Sequence, residues 1–303
     1  MASWNIVYLQ LGAGIIPYLQ STFLFRLLRY IYRKHNIYCI HIDKKASAEI
    51  FKSFKHIKRC FDNIILIEDR VDVIYSSIRQ IEAEMRCVEA VKNSQVKWKY
   101  YINLTGQEFM LRTNLELVLY LRLMNNTNDI ESYKVPRNMV HRFKQRAVLL
   151  ANKVIVSKKL KPPFEKKIEF RKGSAYGMFT REFIIFVLNH PVVKEFVVWL
   201  GDTYAPEETI WATLNAMPEA PGGDRGQRTY HNGLYRSRAV KWSWDRSIRC
   251  HGKFVHWICI YGNGDLQWLL DSDKMVANKF YEDFEPLTLT CLEMIMYKKM
   301  MDV

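Results

Sequence analysis

The chain has 303 residues, of which 49% are hydrophobic and 25% charged, and this balance excludes a disordered or collagen-like protein. Its 45 Lys and Arg residues against 31 Asp and Glu residues give a formal net charge of +14, which favours anionic partners without identifying one. The sequence contains no run of roughly 18 apolar residues, the minimum for a membrane-spanning helix.

The N-terminal segment is uncharged from Met1 to Phe25, and basic residues follow it. One interpretation is a signal or anchor segment, although Pro17 and the positive charge on its C-terminal side argue against a spanning helix or an ordinary signal peptide. The other interpretation is a buried strand at residues 4–9, followed by a loop and a helix. The residues alone leave both interpretations open.

Helix and strand patterns alternate through the rest of the first half. Helices are predicted at residues 24–32, 74–91 and 114–124, and buried strands at residues 37–42, 64–67 and 100–104. This alternation predicts an α/β fold with a mainly parallel central sheet flanked by helices, whose ligands gather beyond the carboxyl ends of the strands. The basic stretch 153–172 contains Pro162-Pro163 and is predicted to be a surface loop. No domain boundary is evident, so residues 1–303 are interpreted as one domain.

Two groups of acids lie where such a fold binds ligands. Asp43 directly follows the strand at 37–42, where its carboxylate could bind a base or a ribose, or could cap the next helix. Glu207 and Glu208 follow Pro206 at a predicted helix start. The helix dipole favours acids there for structural reasons, and the alternative is a general base that takes a proton from a hydroxyl.

The C-terminal third adds aromatic and glycine-rich features. Trp242 and Trp244 flank Ser243 and would point the same way on a strand, either into the core or as an apolar platform for a sugar ring. The stretch 258–266 predicts a strand, a glycine turn and a helix start, but its motif is too short for a dinucleotide fingerprint.

The six cysteines include no CxxC pair and no nearby histidines at the spacing of zinc ligands, so a structural metal site is not expected. Either buried thiols or disulfides fit their number. The Asn-X-Thr sequence at Asn125 lies in a loop-like stretch and is compatible with a secreted context, whereas the one at Asn103 follows a strand pattern.

A series of short segments, taken in order, carries a family resemblance. They are FRLLRYIY (25–32), YCIHIDKK (38–45), YINLTGQEF (101–109), TNLE (113–116), GSAY (173–176), DTYAPEE (202–208), WAT (211–213), CIYG (259–262), GDL (264–266) and ANKF (277–280). Together they resemble the core 2/I-branching β-1,6-N-acetylglucosaminyltransferase family, which also includes the peptide xylosyltransferases. The similarity extends from about Phe25 to the end, whereas residues 1–24 match poorly.

The resemblance implies a GT-A type nucleotide-sugar-binding fold and a glycosyltransferase. Such an enzyme transfers N-acetylglucosamine from UDP-GlcNAc to a glycan hydroxyl with inversion, and forms a β-1,6 branch. By its place in the Pro-Glu-Glu motif, Glu208 resembles the family's general base. The family neutralises the departing diphosphate with basic side chains, one of which Lys279 matches, so neither a metal nor another cofactor is expected.

The resemblance also implies binding residues for both substrates. The expected donor-binding residues are Val7, Asp43 and Tyr75 around the uridine, and His256 and Lys279 at the diphosphate. The expected acceptor-binding residues are Glu131, Arg142, Trp242 and Trp244.

Three of the matched positions depart from the family. Trp244 replaces a usual tyrosine, and Met139 stands where a lysine contacts the acceptor. His256 stands where the branching enzymes carry an arginine. Because arginine stays charged and histidine titrates near neutrality, we hypothesise that His256 either works only when protonated in a mildly acidic lumen or marks weakened activity.

The family's cellular setting gives further expectations. A cytoplasmic tail, a signal anchor and a stem usually precede the catalytic region, whereas this chain begins almost at that region. The resemblance implies a lumenal domain at the Golgi membrane. It also implies disulfides between Cys39 and Cys87 and between Cys250 and Cys259, and two unpaired thiols at the remaining cysteines.

Three alternatives accompany this interpretation. The chain could transfer xylose from another donor, or it could be a catalytically weakened relative that only binds sugar. A basic nucleic-acid-binding protein is disfavoured, because the cations are scattered and no module combines stacking with basic residues. The expected partners are therefore a UDP-sugar donor and a glycoprotein or glycan acceptor, and no nucleic acid.

Overall fold

The computed structural model describes residues 6–12, 19–225 and 235–302, of which residues 7–12 and 19–21 by their backbone. The strands are β1 (Ile6–Gly12), β2 (Ile37–Ile42), β3 (Ile64–Leu66), β4 (Tyr100–Thr105), β5 (Glu108–Met110), β6 (Ser132–Lys134), β7 (Gln145–Leu150), β8 (Lys153–Leu160), β9 (Arg171–Gly173), β10 (Met178–Thr180), β11 (Arg238–Ala239), β12 (Lys253–Val255), β13 (Ile258–Ile260) and β14 (Val276–Asn278). The helices are α1 (Leu19–Ile31), α2 (Ala48–Cys60), α3 (Ile78–Lys92), α4 (Asn114–Leu123), α5 (His141–Lys144), α6 (Arg181–Asn189), α7 (Pro191–Trp199), α8 (Ile210–Asn215), α9 (Leu266–Asp271) and α10 (Pro286–Met301). Short 3-10 helices lie at Arg137–Met139, Leu200–Asp202, Pro206–Glu208 and Asn263–Asp265.

A five-stranded sheet in the order β10-β4-β1-β2-β3 lies at the centre of the described structure. β1 pairs in parallel with β2 and with β4, β2 pairs in parallel with β3, and β10 runs antiparallel to β4. From β1 to β4 strands alternate with helices along the chain, and the protein belongs to the α/β class, as the sequence predicts.

The central sheet separates two apolar cores. Along β2 the side chains alternate, so that Tyr38, Ile40 and Ile42 join a core with α1, α2 and α10. Ile37 and Cys39 join the opposite core, which includes residues of α3, α6, α7 and α8. A strand buried on both faces needs apolar residues at every position, and for that reason its sequence is a continuous hydrophobic run.

Two sequence-based predictions about local structure were wrong. The stretch 153–172 is a loop only at residues 161–170, because β8 at its start pairs antiparallel with β7 and its end belongs to β9. The predicted helix at 74–91 begins later, at Ile78, where the Ser77 side chain accepts a hydrogen bond from the Arg79 backbone N–H at 3.2 Å. Ser76, with a φ of 59°, sets the turn before this cap.

Two disulfides join elements around the sheet. Cys39 of β2 is bonded to Cys87 of α3, and Cys250 is bonded to Cys259 of β13, which are the pairs implied by the resemblance. The other cysteines that the structure describes are free thiols. Among the described residues no single helix is long and apolar enough to cross a membrane. One pair of consecutive helical segments, Arg181–Asn189 and Pro191–Asp202, together has the length and composition of a membrane span but is bent by 71°.

Candidate active site

Glu208 is placed by a tight turn in front of a buried helix. It ends the 3-10 helix Pro206–Glu208, and α8, whose residues are all buried, follows directly. Ala205 begins the turn in the left-handed region, with a φ of 49°, and its N–H donates to the Ser76 carbonyl at 3.0 Å. The Glu208 side chain keeps 32% of its surface exposed. A fixed backbone thus presents a solvent-accessible carboxylate.

Two cations contact the Glu208 carboxylate. Arg142 of α5 donates from Nη1 to Oε2 at 2.6 Å, and Lys172 Nζ of β9 lies 3.5 Å from the same oxygen. The Arg142 guanidinium also lies over the Tyr204 ring, 5.2 Å from its centroid. These contacts orient the carboxylate, since each cation is itself held by a separate element of the fold.

Glu131, which the resemblance assigns to acceptor binding, lies beside this group. It is buried directly before β6, and the pairing of β6 with β9 places Tyr133 opposite Lys172. Burial raises the pKa of the Glu131 carboxyl, the Lys172 charge lowers it, and the Glu208 charge raises it further. A Cβ at Gly173 would lie 2.0 Å from the Glu131 carbonyl oxygen, so this close approach of the two strands requires glycine.

Glu207 behaves differently from its neighbour. Its residue is only 8% exposed, and its Oε2 has no hydrogen-bond partner among the described residues. Burial, followed by the charge of Glu208, raises the pKa of the Glu207 carboxyl to about 8. The two adjacent acids thus have different surroundings, because Glu208 faces solvent and two cations whereas Glu207 is enclosed.

Asp43 lies at the carboxyl end of β2, where the sequence left its role open. Its Oδ1 accepts hydrogen bonds from the backbone N–H and the Nζ of Lys45, both at 3.0 Å. The cap of α2 is Ser47, which accepts from the Ile50 N–H at 3.3 Å, so the interpretation of Asp43 as the helix cap was wrong. Its Oδ2 is buried and has no hydrogen-bond partner among the described residues. One carboxylate oxygen is thus left unpaired in an enclosed position.

Tyr75 and His256 are brought together from distant parts of the sequence. Their rings stack with centroids 5.2 Å apart and an interplanar angle of 21°. His256 and Trp257 form the turn between β12 and β13, and both adopt positive φ angles, of 48° and 68°. Loss of solvent and then the charges of Glu207 and Glu208 raise the pKa of the Tyr75 hydroxyl, which connects this pair to the acidic group.

Lys279 lies directly after β14 and is half-buried. Burial lowers the pKa of its ammonium group, and no carboxylate within the described residues forms an ion pair with it. Its Nζ lies 5.5 Å from the centroid of the Tyr281 ring, and Lys253 of β12 lies 5.9 Å from the same ring. The structure gives no direct contact between Lys279 and Glu208. The β12–β13 hairpin lies between them, because its Lys253 shares the Tyr281 ring with Lys279 and its His256 stacks on Tyr75, which senses the charge of Glu208.

Trp242 and Trp244 were predicted to point the same way on a strand, and this prediction was wrong because Trp244 lies in a turn. Trp242 forms a single bridge with Ile258 of β13, and its ring stacks on that of Trp244 with centroids 4.5 Å apart. Trp244 is 59% exposed. The pair lines a cleft of about 580 Å³, together with Tyr235 and Lys274. Each ring covers one face of the other, so the aromatic surface open to a ligand is smaller than that of two separate rings.

The remaining sequence-predicted and missed residues complete the site. Val7 lies in β1, and its side chain is outside the described part of the structure. Sequence reasoning missed Lys172, because it lies in the basic stretch interpreted as a loop. It also missed Glu84 of α3, a buried carboxylate that accepts from Tyr101, Asn103 and Trp211. Burial raises the pKa of Glu84 to about 7, and the alternation of polar and apolar residues along α3 gave no signal of this role.

Comparison with known proteins identifies the family of this chain. The family model described as Core-2/I-Branching enzyme matches residues 16–270. The N-acetyllactosaminide beta-1,6-N-acetylglucosaminyl-transferase of Homo sapiens is 41% identical over 277 residues, covering 89% of this chain and 67% of the relative. The mouse protein of that name is 39% identical over 276 residues, covering 89% and 68%.

A relative named for another acceptor is also similar. The beta-1,3-galactosyl-O-glycosyl-glycoprotein beta-1,6-N-acetylglucosaminyltransferase 4 of Danio rerio is 35% identical over 290 residues, covering 92% of this chain and 68% of the relative. These matches extend over most of the chain and include the segments that contain Glu208 and Lys172. The chain belongs to the core-2/I-branching enzyme family and is a glycosyltransferase.

Proposed function

We propose that the chain transfers N-acetylglucosamine from UDP-GlcNAc to a hydroxyl of a glycan acceptor, with inversion, and forms a β-1,6 branch on a GT-A type fold. The relatives at 35–41% identity carry β-1,6-N-acetylglucosaminyltransferase names, which supports this kind of transfer. The observation that carries the proposal for this chain is the exposed Glu208 carboxylate, which Arg142 and Lys172 hold in place.

In the proposed reaction, Glu208 is the general base. The acceptor hydroxyl oxygen bonds to the anomeric carbon while its proton passes to the Glu208 carboxylate. The bond between that carbon and the β-phosphate oxygen breaks, and its electron pair leaves with UDP. A carboxylate that is partly exposed and fixed by two cations suits this role, whereas the enclosed Glu207, with a pKa of about 8, is protonated at neutral pH and cannot accept the proton.

The departing UDP needs positive charge at its diphosphate. Lys279 has no carboxylate partner within the described residues, so its ammonium is available to an anion, and His256 adds a second charge when protonated. We therefore propose that these side chains, and not a metal ion, stabilise the leaving group. Within the described residues, the one set of three close ligand atoms is Cys250, Cys259 and Asp265, and the two cysteines are bonded to each other.

The donor and acceptor contacts of the proposal follow the placement of the site residues. Asp43 offers a buried Oδ2 and Tyr75 an exposed ring to the uridine. Glu131 and Arg142 would bind hydroxyls of the acceptor sugar beside the base, and the tryptophan pair would contact an apolar face of that sugar. We propose a lumenal Golgi location, which the two disulfides support because they persist in an oxidising compartment.

The test is transfer by the Glu208→Gln variant, with UDP-GlcNAc and UDP-xylose as donors, with and without EDTA. We expect kcat with UDP-GlcNAc to fall by about 10²- to 10⁴-fold, since the amide cannot take the proton. UDP binding measured by calorimetry should be unchanged, which shows that the variant is folded. Glu165→Gln, at an exposed position, is the matched control. Retained transfer by Glu208→Gln contradicts the role of Glu208, preferred use of UDP-xylose contradicts the donor, and loss of activity with EDTA contradicts metal independence.

A further inference from the structure

The β7–β8 hairpin carries exposed apolar side chains that belong to neither of the two apolar cores. Its tip, residues 148–153, is joined by a turn at Ala151 and Asn152, which have φ angles of 47° and 61°. The exposed fractions are 44% for Val148, 57% for Leu149 and 62% for Leu150. Three consecutive exposed apolar residues are unusual on a protein surface that faces only water.

Both faces of this ribbon are apolar. The register places Val148 opposite Ile155 on one face and Leu149 opposite Val154 on the other. Ile155 is 44% exposed, so neither face is covered by the rest of the described structure. A groove on a partner protein would cover one face of the ribbon, whereas a bilayer interface surrounds an inserted tip.

Cations without acids flank the tip. The sequence has no Asp or Glu between Glu131 and Glu165. Lys153, Lys158 and Lys159 are exposed, and none of them forms an ion pair within the described part of the chain. An apolar tip with one lysine beside it, Lys153, and two more farther along β8, Lys158 and Lys159, matches the apolar interior and anionic headgroups of an acidic membrane surface.

The base of the hairpin is firmly attached to the protein. Lys161 is buried, and its Nζ contacts Asp202, the Thr203 hydroxyl and the Trp199 carbonyl. Arg146 of β7 donates to the same Asp202 at 2.9 Å. A hairpin held in this way transmits the orientation of its tip to the whole domain. β7 also continues directly from α5, which carries the active-site Arg142.

We propose that the β7–β8 hairpin docks on an anionic lipid surface, with its tip among the acyl chains and its lysines at the headgroups. This contact is independent of the proposed reaction and of any membrane anchor. It orients the domain so that α5 and the active site lie near the membrane.

The experiment is flotation of the protein with vesicles of phosphatidylcholine alone and with 30% phosphatidylserine, at low and high salt. We expect binding to the anionic vesicles and its loss at high salt. The variant Leu149→Ser/Leu150→Ser should bind about tenfold or more weakly, because it removes the inserted side chains. Leu119→Ser/Leu123→Ser on α4, at exposures of 48% and 84%, is the matched apolar control and should bind like the original chain.

Two double lysine variants distinguish binding at this hairpin from the general attraction that a chain with a net charge of +14 has for anionic vesicles. Lys158→Gln/Lys159→Gln should weaken binding by about 10- to 30-fold, and Lys298→Gln/Lys299→Gln on α10 by much less. Equal weakening by both pairs, or no effect of the tip variant, overturns the proposal. A dimer in gel filtration that only the tip variant dissociates, with vesicle binding unchanged, assigns the hairpin to a second copy of the chain. Retention on a polyglutamate column that only the lysine variant loses, with vesicle binding unchanged, assigns it to an acidic protein; both results overturn lipid docking.

Discussion

The proposed site has an acidic side around Glu208 and a cationic side around Lys279, and the charges of the two sides are neutralised in different ways. Around Glu208, acids and cations are paired within the chain, because Arg142 and Lys172 both contact its carboxylate. Around Lys279, the ammonium is half-buried, lies 5.5 Å from the centroid of the Tyr281 ring and forms no ion pair among the described residues. The acidic side is thus complete without a ligand, whereas the cationic side gains its counter-charge when an anion binds. The comparison predicts that substitutions on the two sides affect different steps.

Apart from loss of the general base itself, the largest effect is expected on the cationic side. Lys279→Ala should lower kcat/KM by about 100-fold, because it removes the fixed charge that we propose to face the departing diphosphate. UDP affinity, measured by calorimetry, should fall with it, and Lys279→Arg should recover part of both. Lys298→Ala on α10 is the control for loss of one positive charge. If the Lys279→Ala variant binds UDP as the original chain does, Lys279 does not belong to the donor site.

A smaller and different effect is expected on the acidic side. Arg142→Ala should lower kcat/KM for the acceptor by about 10- to 100-fold, since a charged hydrogen bond to Glu208 is lost. UDP affinity should stay the same. Arg137→Ala, at an exposed position one element earlier, controls for the local loss of charge. If Arg142→Ala weakened UDP binding instead, the separation of the two sides would fail.

His256 sharpens the cationic side of the comparison. His256→Arg keeps a side chain that can lie over the Tyr75 ring but makes the charge permanent. The KM for the donor should fall by about three- to tenfold at pH 7.5 and change little at pH 5.5. His56→Arg, at an exposed position of α2, is the control. A pH–rate profile that is flat for the original chain, together with no gain in the variant, rejects the hypothesis.

The smallest effect concerns stability on the acidic side. Burial raises the pKa of Glu207 from 4.5 to about 8, so the folded state binds this proton more tightly than the unfolded state does. Its contribution to stability is present below pH 4.5 and is lost as the pH rises toward 8. Glu207→Gln removes this dependence and should raise Tm relative to the original chain by about 2–4 °C more at pH 8 than at pH 5. Differential scanning fluorimetry measures it, with Glu165→Gln as control, and an equal difference at both pH values contradicts the protonated state.

Much of the fold was predictable because its signals are local. The strand at 37–42 was found with its observed bounds, since a strand buried on both faces is a continuous apolar run. The hairpin at β7–β8 was missed because its exposed lysines and the Pro162-Pro163 pair outweighed the β-branched residues of β8. The start of α3 was placed too early because the left-handed turn at Ser76 is set by the loop packed against Ala205, which is a tertiary contact.

The candidate site was predictable only in part. The resemblance placed Glu208, Arg142 and Glu131 in one site, and the structure brings these three together. Composition and spacing alone could not do so, because they are joined by elements far apart in the sequence. The enclosure of Glu207 and the stacking of Trp242 on Trp244 depend on tertiary packing and leave no local signal.

The Cys39–Cys87 bond has a consequence for producing this protein. It links β2, whose carboxyl end carries Asp43, to α3, which begins just after Tyr75, and it closes a segment of 48 residues. A crosslink of that span stabilises a fold by about 4 kcal/mol through the unfolded chain. A preparation from a reducing cytosol would therefore yield a less stable chain, in which the two elements that we propose to face the uridine are no longer tied together. If such a preparation bound the donor weakly, the cause would be the reduced disulfide and not the amino-acid sequence.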